Sequence, residues 1–224
     1  IDVGKASSGQ VVLIHGAAGG VGSAAVQLAH NAGCTVIATV SNKKKEEYVR
    51  RLGADFVFNS RSCTFAADVR NATKGKGCDL ILNCLSGRSM QESLRLLAPF
   101  GRFIEIGKTD AMARHRIGVH ELLENGTYVF FDTDRYFQRQ ETTVRWVREM
   151  VALVEKGELN PPPTEVFPLK QMGQAIRRLS AGKHIGKVIL QLRDTSGELL
   201  PSCKTIPFVP SRLLRSDGSY VLVG

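Results

Sequence analysis

At 224 residues, 43% of them hydrophobic, the chain can bury one sizeable core, and no run of about 18 apolar residues offers a membrane span. Its net charge of +9 admits nucleic acid, an acidic partner or an anionic cofactor. Most cations are interleaved with acids, as at Arg145, Arg148 and Glu149, and no helix of aligned basic residues or aromatic stacking platform supports nucleic-acid binding. Neither a start methionine nor a basic-then-apolar leader opens the chain, so it reads as a fragment of a cytoplasmic protein. The five cysteines (Cys34, Cys63, Cys78, Cys84, Cys203) are odd in number and form no Cys-x-x-Cys pair, which predicts reduced, mostly buried thiols and no metal site.

In chain order, Val11 to His15 reads as a buried strand and Val21 to His30 as a helix ended by Gly33. Thr35 to Thr39 is the next strand, and Lys43 to Leu52 the next helix, closed by Gly53. Asp55 to Asn59, Asp79 to Cys84, Arg102 to Ile106 and Thr127 to Phe131 continue the strands, with helices near Phe65 to Thr73 and Met90 to Leu97 between them. This rhythm predicts an α/β fold: a doubly wound, Rossmann-type parallel sheet covered on both faces. Thr142 to Lys156 is an amphipathic helix with Val144, Val147, Val151 and Val154 on one face. Pro161-Pro162-Pro163 forces an extended crossing, Lys170 to Ser180 reads as a helix and Lys187 to Leu192 as a strand. Residues 193–216 are polar and proline-punctuated, a linker. Residues 217–224 read as a turn and short apolar strand that open a second nucleotide-binding unit.

Gly16-Ala17-Ala18-Gly19-Gly20-Val21-Gly22 follows a strand and opens a helix. Glycines there permit a tight turn and let backbone N–H groups approach a pyrophosphate at the positive end of the helix. Ala17 stands where the usual G-x-G-x-x-G has its first glycine, whereas Gly19 and Gly22 match. The second strand ends Ala38-Thr39-Val40-Ser41-Asn42 with no acid to bind a ribose 2′-hydroxyl, and Lys43, Lys44 and Lys45 follow at once. First-turn lysines oppose the helix dipole unless an anion is near, so a 2′-phosphate and hence NADPH is predicted, with Arg61 past the third strand at the same edge.

On these motifs, together with Asn59-Ser60-Arg61, Asp79 to Ser86, Gly101 to Lys108 and Gly182 to Val188, the span from about Gly9 to Leu192 resembles the cofactor domain of medium-chain reductases. It is most similar to the zinc-free enoyl reductase domains of iterative polyketide synthases and animal fatty acid synthases. The resemblance implies an NADPH-binding domain over residues 1–192 that lacks most of its substrate domain, with residues 217–224 starting a ketoreductase domain. It implies that Ser41, Lys45 and Arg61 hold the 2′-phosphate, that Gly19, Gly20, Val21 and Gly22 form the pyrophosphate loop, and that Asn83, Leu85 and Ser86 lie along the cofactor. Lys108 matches a lysine proposed as proton donor, with either Asp132 or Asp134 as its companion and Asp132 preferred. His15 is expected to be packed rather than catalytic. The implied reaction is reduction of an α,β-unsaturated thioester on the phosphopantetheine arm of an acyl carrier protein, in a synthase expected to be a homodimer. The fragment alone is expected to be inactive. A stand-alone NADPH:quinone reductase and a non-catalytic scaffold are the alternatives. The linker speaks against the first and the intact glycine loop against the second.

Overall fold

In a β-strand neighbouring side chains point to opposite faces, and the chain uses both. Val12, Ile14, Val36, Ala38, Val40, Leu80 and Ile104 join one buried cluster, with Val26 and Val49 from helices. The residues between them, Leu13, Ile37, Ile81 and Phe103, join a second cluster with Phe65, Val69, Met90 and Leu94. A strand that is apolar on both sides needs helices on both faces, and the computed structural model, which describes residues 3–192, has them.

The strands β1 (Val11–Ile14), β2 (Thr35–Val40), β3 (Phe56–Asn59), β4 (Cys78–Asn83), β5 (Leu97–Glu105) and β6 (Thr127–Phe130) form one sheet in the order β3-β2-β1-β4-β5-β6. Every pairing is parallel. Helices α1 (Gly20–Asn31), α2 (Lys43–Arg51), α3 (Phe65–Ala72) and α4 (Arg88–Leu94) alternate with the strands. This is the doubly wound sheet the sequence predicts. A short α5 (Thr109–Met112) follows β5, while α6 (Thr133–Phe137) and α7 (Gln140–Glu155) follow β6.

Three expectations need correction. The helix expected near Met90 to Leu97 stops at Leu94, and Leu97 already pairs with Cys78 on β4. Leu97 stands three residues after Leu94, a helical spacing, but Pro99 disfavours helix in the residue before it. A register shift between Cys78 and Leu80 lets the longer β5 pair along β4. Second, the valine face of α7 forms as a face but is exposed, with Val147 at 55%. Third, among the described cysteines only Cys34 and Cys78 are buried, while Cys63 is half-buried and Cys84 exposed.

The chain divides into two compact units. Residues up to 163 with 185–187 carry the six-stranded sheet. The other unit holds β7 (Thr164–Pro168), which the proline run concealed, α8 (Met172–Ser180) and the body of β8 (Lys187–Gln191). There β7 and β8 form a two-stranded sheet, and the Arg178 guanidinium bonds both Glu165 oxygens at 2.8 and 2.9 Å. The linker at 193–216 and the strand expected within 217–224 lie outside the described residues. No described helix is long and apolar enough to cross a membrane.

Candidate functional site

The chain order of the sheet reverses between β1 and β4. Loops leaving these strands part to opposite faces, which opens a crevice beyond the carboxyl ends, where open α/β sheets bind ligands. The sequence-predicted site residues follow the ends of β1, β2, β3, β4, β5 and β6, so they share one edge.

At the centre, Gly16 turns the chain out of β1 with φ 60°. Gly19 N–H closes the turn on Gly16 O at 2.9 Å, and Gly19 caps α1 in an extended conformation. Ser23 N–H donates to Gly19 O at 2.9 Å, so the N–H groups of Gly20, Val21 and Gly22 belong to the unsatisfied first turn. No acid stands in that turn to occupy them. Gly22 is held at close range: a Cβ there would lie 2.4 Å from Gly16 O and 2.6 Å from Ala17 Cα.

A segment more than 160 residues downstream is stitched onto this loop. Gly186 N–H donates to Ala18 O at 2.8 Å, and Gly186 bridges Gly19 in parallel. Gly186 has φ 73°, and a Cβ there would meet Pro163 O at 2.1 Å, so only glycine fits. The next residue, Lys187, lays its side chain over the loop, with Nζ 2.7 Å from where a Gly20 Cβ would stand. An ammonium at the positive end of α1 would be reconciled by an anion between them. Lys187 lies within the Gly182 to Val188 motif, which by itself gives it no role. Spacing along the chain carries no signal for it.

At one end of the edge, β2 and β3 stay paired to Val40 and Asn59, and Ser60 N–H donates to Val40 O at 2.8 Å. Arg61 and Ser41 therefore leave adjacent strands side by side. Asn59 Oδ1 accepts from Arg61 N–H at 2.8 Å, and Asn42 Oδ1 caps α2 by accepting from Lys45 N–H at 3.0 Å. Ser41 and Lys45 are half-buried and Arg61 exposed.

Beyond β4, Leu85 is half-buried and Ser86 exposed, whereas Asn83 is fully buried. The Asn83 carboxamide is satisfied within the protein: Oδ1 accepts from Leu85 N–H, and Nδ2 donates to Leu85 O and to Glu105 Oε2. Asn83 therefore shapes the loop that carries Leu85 and Ser86.

Beyond β5 and β6 the structure brings Lys108 to both candidate aspartates. Its Nζ lies 2.9 Å from Asp132 Oδ1 and 2.5 Å from Asp134 Oδ2. Asp132 is the more sheltered at 27% side-chain exposure against 73%, and it also caps α6 through Asp134 N–H. Hydrogen bonds that Lys108 donates to Asp134 and then to Asp132 hold its pKa above that of an ordinary lysine, and Lys108 holds the Asp132 carboxyl below its usual range. Phe131, stacked on Tyr136 at 4.6 Å and beside Trp146, fastens α6 and α7 behind the pair.

His15 is buried beneath the loop, where its Nδ1 meets Thr39 Oγ1 at 2.8 Å and its Nε2 meets Ser93 Oγ at 2.9 Å. Ser93 gives its one proton to Ser89 O, so it accepts from Nε2–H, and Nδ1 accepts from Thr39. Burial lowers the His15 pKa to about 3, so the ring is neutral and structural.

Residues 52–190 match the family model described as zinc-binding dehydrogenase. Among the described residues no group of three or more His, Cys, Asp or Glu side chains could hold a metal ion. A highly reducing polyketide synthase of Emericella nidulans is 38% identical over 228 residues, which is 99% of this chain and 9% of that protein. The chain thus spans about a tenth of such a relative. The solved nucleotide-binding subdomain of the enoylreductase domain of PpsC from Mycobacterium tuberculosis is 38% identical with a TM-score of 0.65, covering 71% of this chain and 89% of that one. The CurK enoyl reductase is 35% identical with a TM-score of 0.74, covering 85% of this chain and 57% of that one.

Proposed function

This chain belongs to the zinc-binding dehydrogenase family, among the enoyl reductase domains of polyketide synthases, and on that premise we propose that it is the NADPH-holding part of a reductase acting on an α,β-unsaturated acyl thioester. The thioester rides on the phosphopantetheine arm of an acyl carrier protein, supplied by other domains of the same dimeric synthase. Residues 193–216 are read as the linker to a following ketoreductase domain. The isolated chain binds cofactor and does not turn over.

One observation carries the reading: the acid-free end of β2, the open first turn of α1 and the Lys108 ammonium follow one another along a single edge of the sheet. From β2 to β5 is three strand spacings, about 14 Å, the scale of an extended dinucleotide. The residues present fit that group. Ser41, Lys45 and Arg61 suit a 2′-phosphate, which an Asp or Glu in their place would repel. The N–H groups of Gly20, Val21 and Gly22, with Lys187 above, suit a pyrophosphate. Leu85 and Ser86 flank the nicotinamide end.

NADPH, when bound, supplies the hydride that reaches the β-carbon of the acyl chain. Negative charge then gathers on the thioester oxygen and a proton must reach the α-carbon. Lys108 Nζ is protonated at neutral pH like any lysine, and the two carboxylates raise its pKa further. An ammonium so placed stabilises the oxygen's charge without reorganising, and Asp132 orients it. Its raised pKa makes it a poorer acid, so charge stabilisation is its larger contribution.

Titration of the chain with each nicotinamide cofactor tests the reading. Saturable NADPH binding at least about tenfold tighter than NADH binding is expected, a difference of ~1.4 kcal/mol. A folded chain with no saturable binding of either would leave only a scaffold.

A further inference from the structure

Glu105 is a carboxylate the proposed chemistry does not use, yet it is buried at the end of β5, directly beneath the candidate site. A buried charge survives only when it is well bonded. Its Oε2 accepts from Asn83 Nδ2 and its Oε1 from Gly107 N–H, at 2.6 Å for the second. Asn83 in turn fixes Leu85 through both its backbone N–H and its carbonyl. Gly107 is wedged into the arrangement: a Cβ on it would lie 2.8 Å from Glu105 Oε1 and 3.4 Å from Cys84 O. The residue after Gly107 is Lys108. One carboxylate therefore joins the loop leaving β4 to the loop leaving β5, and burial pushes its pKa up against the pull of the two bonds.

We infer that Glu105 is a positioning residue that, through Asn83 and Gly107, sets the spacing of the two loops between which the nicotinamide ring binds. Backbone bonds already run from Ile106 N–H to Asn83 O and from Phe131 N–H to Glu105 O, so the sheet itself persists without this carboxylate. What the carboxylate adds is a tie between the Asn83–Leu85 turn on one side and Gly107, the residue before Lys108, on the other. The inference rests on the cofactor reading above and concerns one end of the cofactor only.

Two ligands separate the ends: NADPH, and 2′-phospho-ADP-ribose, which keeps both phosphate sites and lacks the nicotinamide ring. In Glu105→Gln, whichever way the amide turns, its NH2 faces a donor, either Asn83 Nδ2 or Gly107 N–H. Loss of one charge-assisted bond predicts NADPH affinity about tenfold weaker, ~1.4 kcal/mol, with 2′-phospho-ADP-ribose affinity unchanged. Glu105→Asp keeps the charge but shortens its reach, so it cannot hold both partners, and the same selective loss is expected. A folded variant of either kind that retains the wild-type ratio of the two affinities, or that loses both ligands equally, overturns the inference. Wild-type chain that bound neither ligand would instead overturn the cofactor reading itself.

Discussion

Replacing Lys45 and Arg61 together by alanine is expected to abolish the preference for NADPH while leaving NADH binding nearly unchanged. Each is a partly or fully exposed cation, so a phosphate contact from it is worth ~1 kcal/mol once screening by water is included. Two such contacts give ~2 kcal/mol, which exceeds the tenfold threshold of ~1.4 kcal/mol. Asn42 caps α2 through the Lys45 backbone N–H, and Asn59 holds the Arg61 backbone N–H, so both hydrogen bonds survive loss of the side chains. Lys45 also sits in the first turn of α2, where a cation opposes the helix dipole, so alanine there does not destabilise the helix. Dissociation constants for NADPH and NADH, each taken at low and at high salt, form the assay. The wild-type preference should shrink with salt, and the variant should show no preference at either salt concentration. Equal collapse of NADH binding, or a preference that outlives both lysine and arginine, would refute the assignment of these residues to the 2′-phosphate.

Lys187→Ala should weaken NADPH and NADH alike, by about fivefold to tenfold, because the pyrophosphate is common to both; a loss confined to NADPH would remove Lys187 from that contact. Gly22→Ala forces a Cβ against backbone atoms of Gly16 and Ala17, costing about 1–3 kcal/mol of stability and most cofactor affinity, whereas Gly20→Ala meets only the flexible end of Lys187 and should fold normally. Comparable urea midpoints for the two variants would contradict that geometry. His15 has a folded pKa of about 3 against 6.5 when unfolded, so between these values the unfolded chain binds the proton that the folded one refuses. Stability is therefore fully present above pH 6.5 and falls with pH below it, by up to about 1.4 kcal/mol per unit. His15→Gln should flatten that slope between pH 6.5 and 4.5 in denaturant titrations, and an undiminished slope would assign it to other groups. In the complete reductase, Lys108→Ala should cut turnover at saturating NADPH by about a hundredfold with little change in NADPH affinity; unaltered turnover would exclude it from the reaction.

Much of the fold was legible because its signals are local. Doubly apolar strands such as Val11–Ile14 and Thr35–Val40 announce a parallel sheet buried on both faces, and the glycine loop announces itself by standing between a strand and a helix. The α4 to β5 boundary is hidden in the sequence because Met90, Leu94 and Leu97 keep helical spacing, and only the pairing of Leu97 with Cys78 ends it. The strand β7 went unseen because three prolines dominate the residues before it, and its partner β8 lies about twenty residues on.

What the sequence determined by itself was the topology class, the glycine-rich turn after β1 and the acid-free, lysine-rich end of β2, since each depends on residues within one strand–turn–helix unit. The tertiary structure alone decided that Lys108 meets both Asp132 and Asp134, that Asn83 is bound by Glu105, and that Lys187 reaches Gly20. The physical reason is the same in all three. These contacts join the ends of different strands or a distant segment, and which of them become neighbours is fixed by strand order and crossover, quantities that no periodicity along the chain encodes.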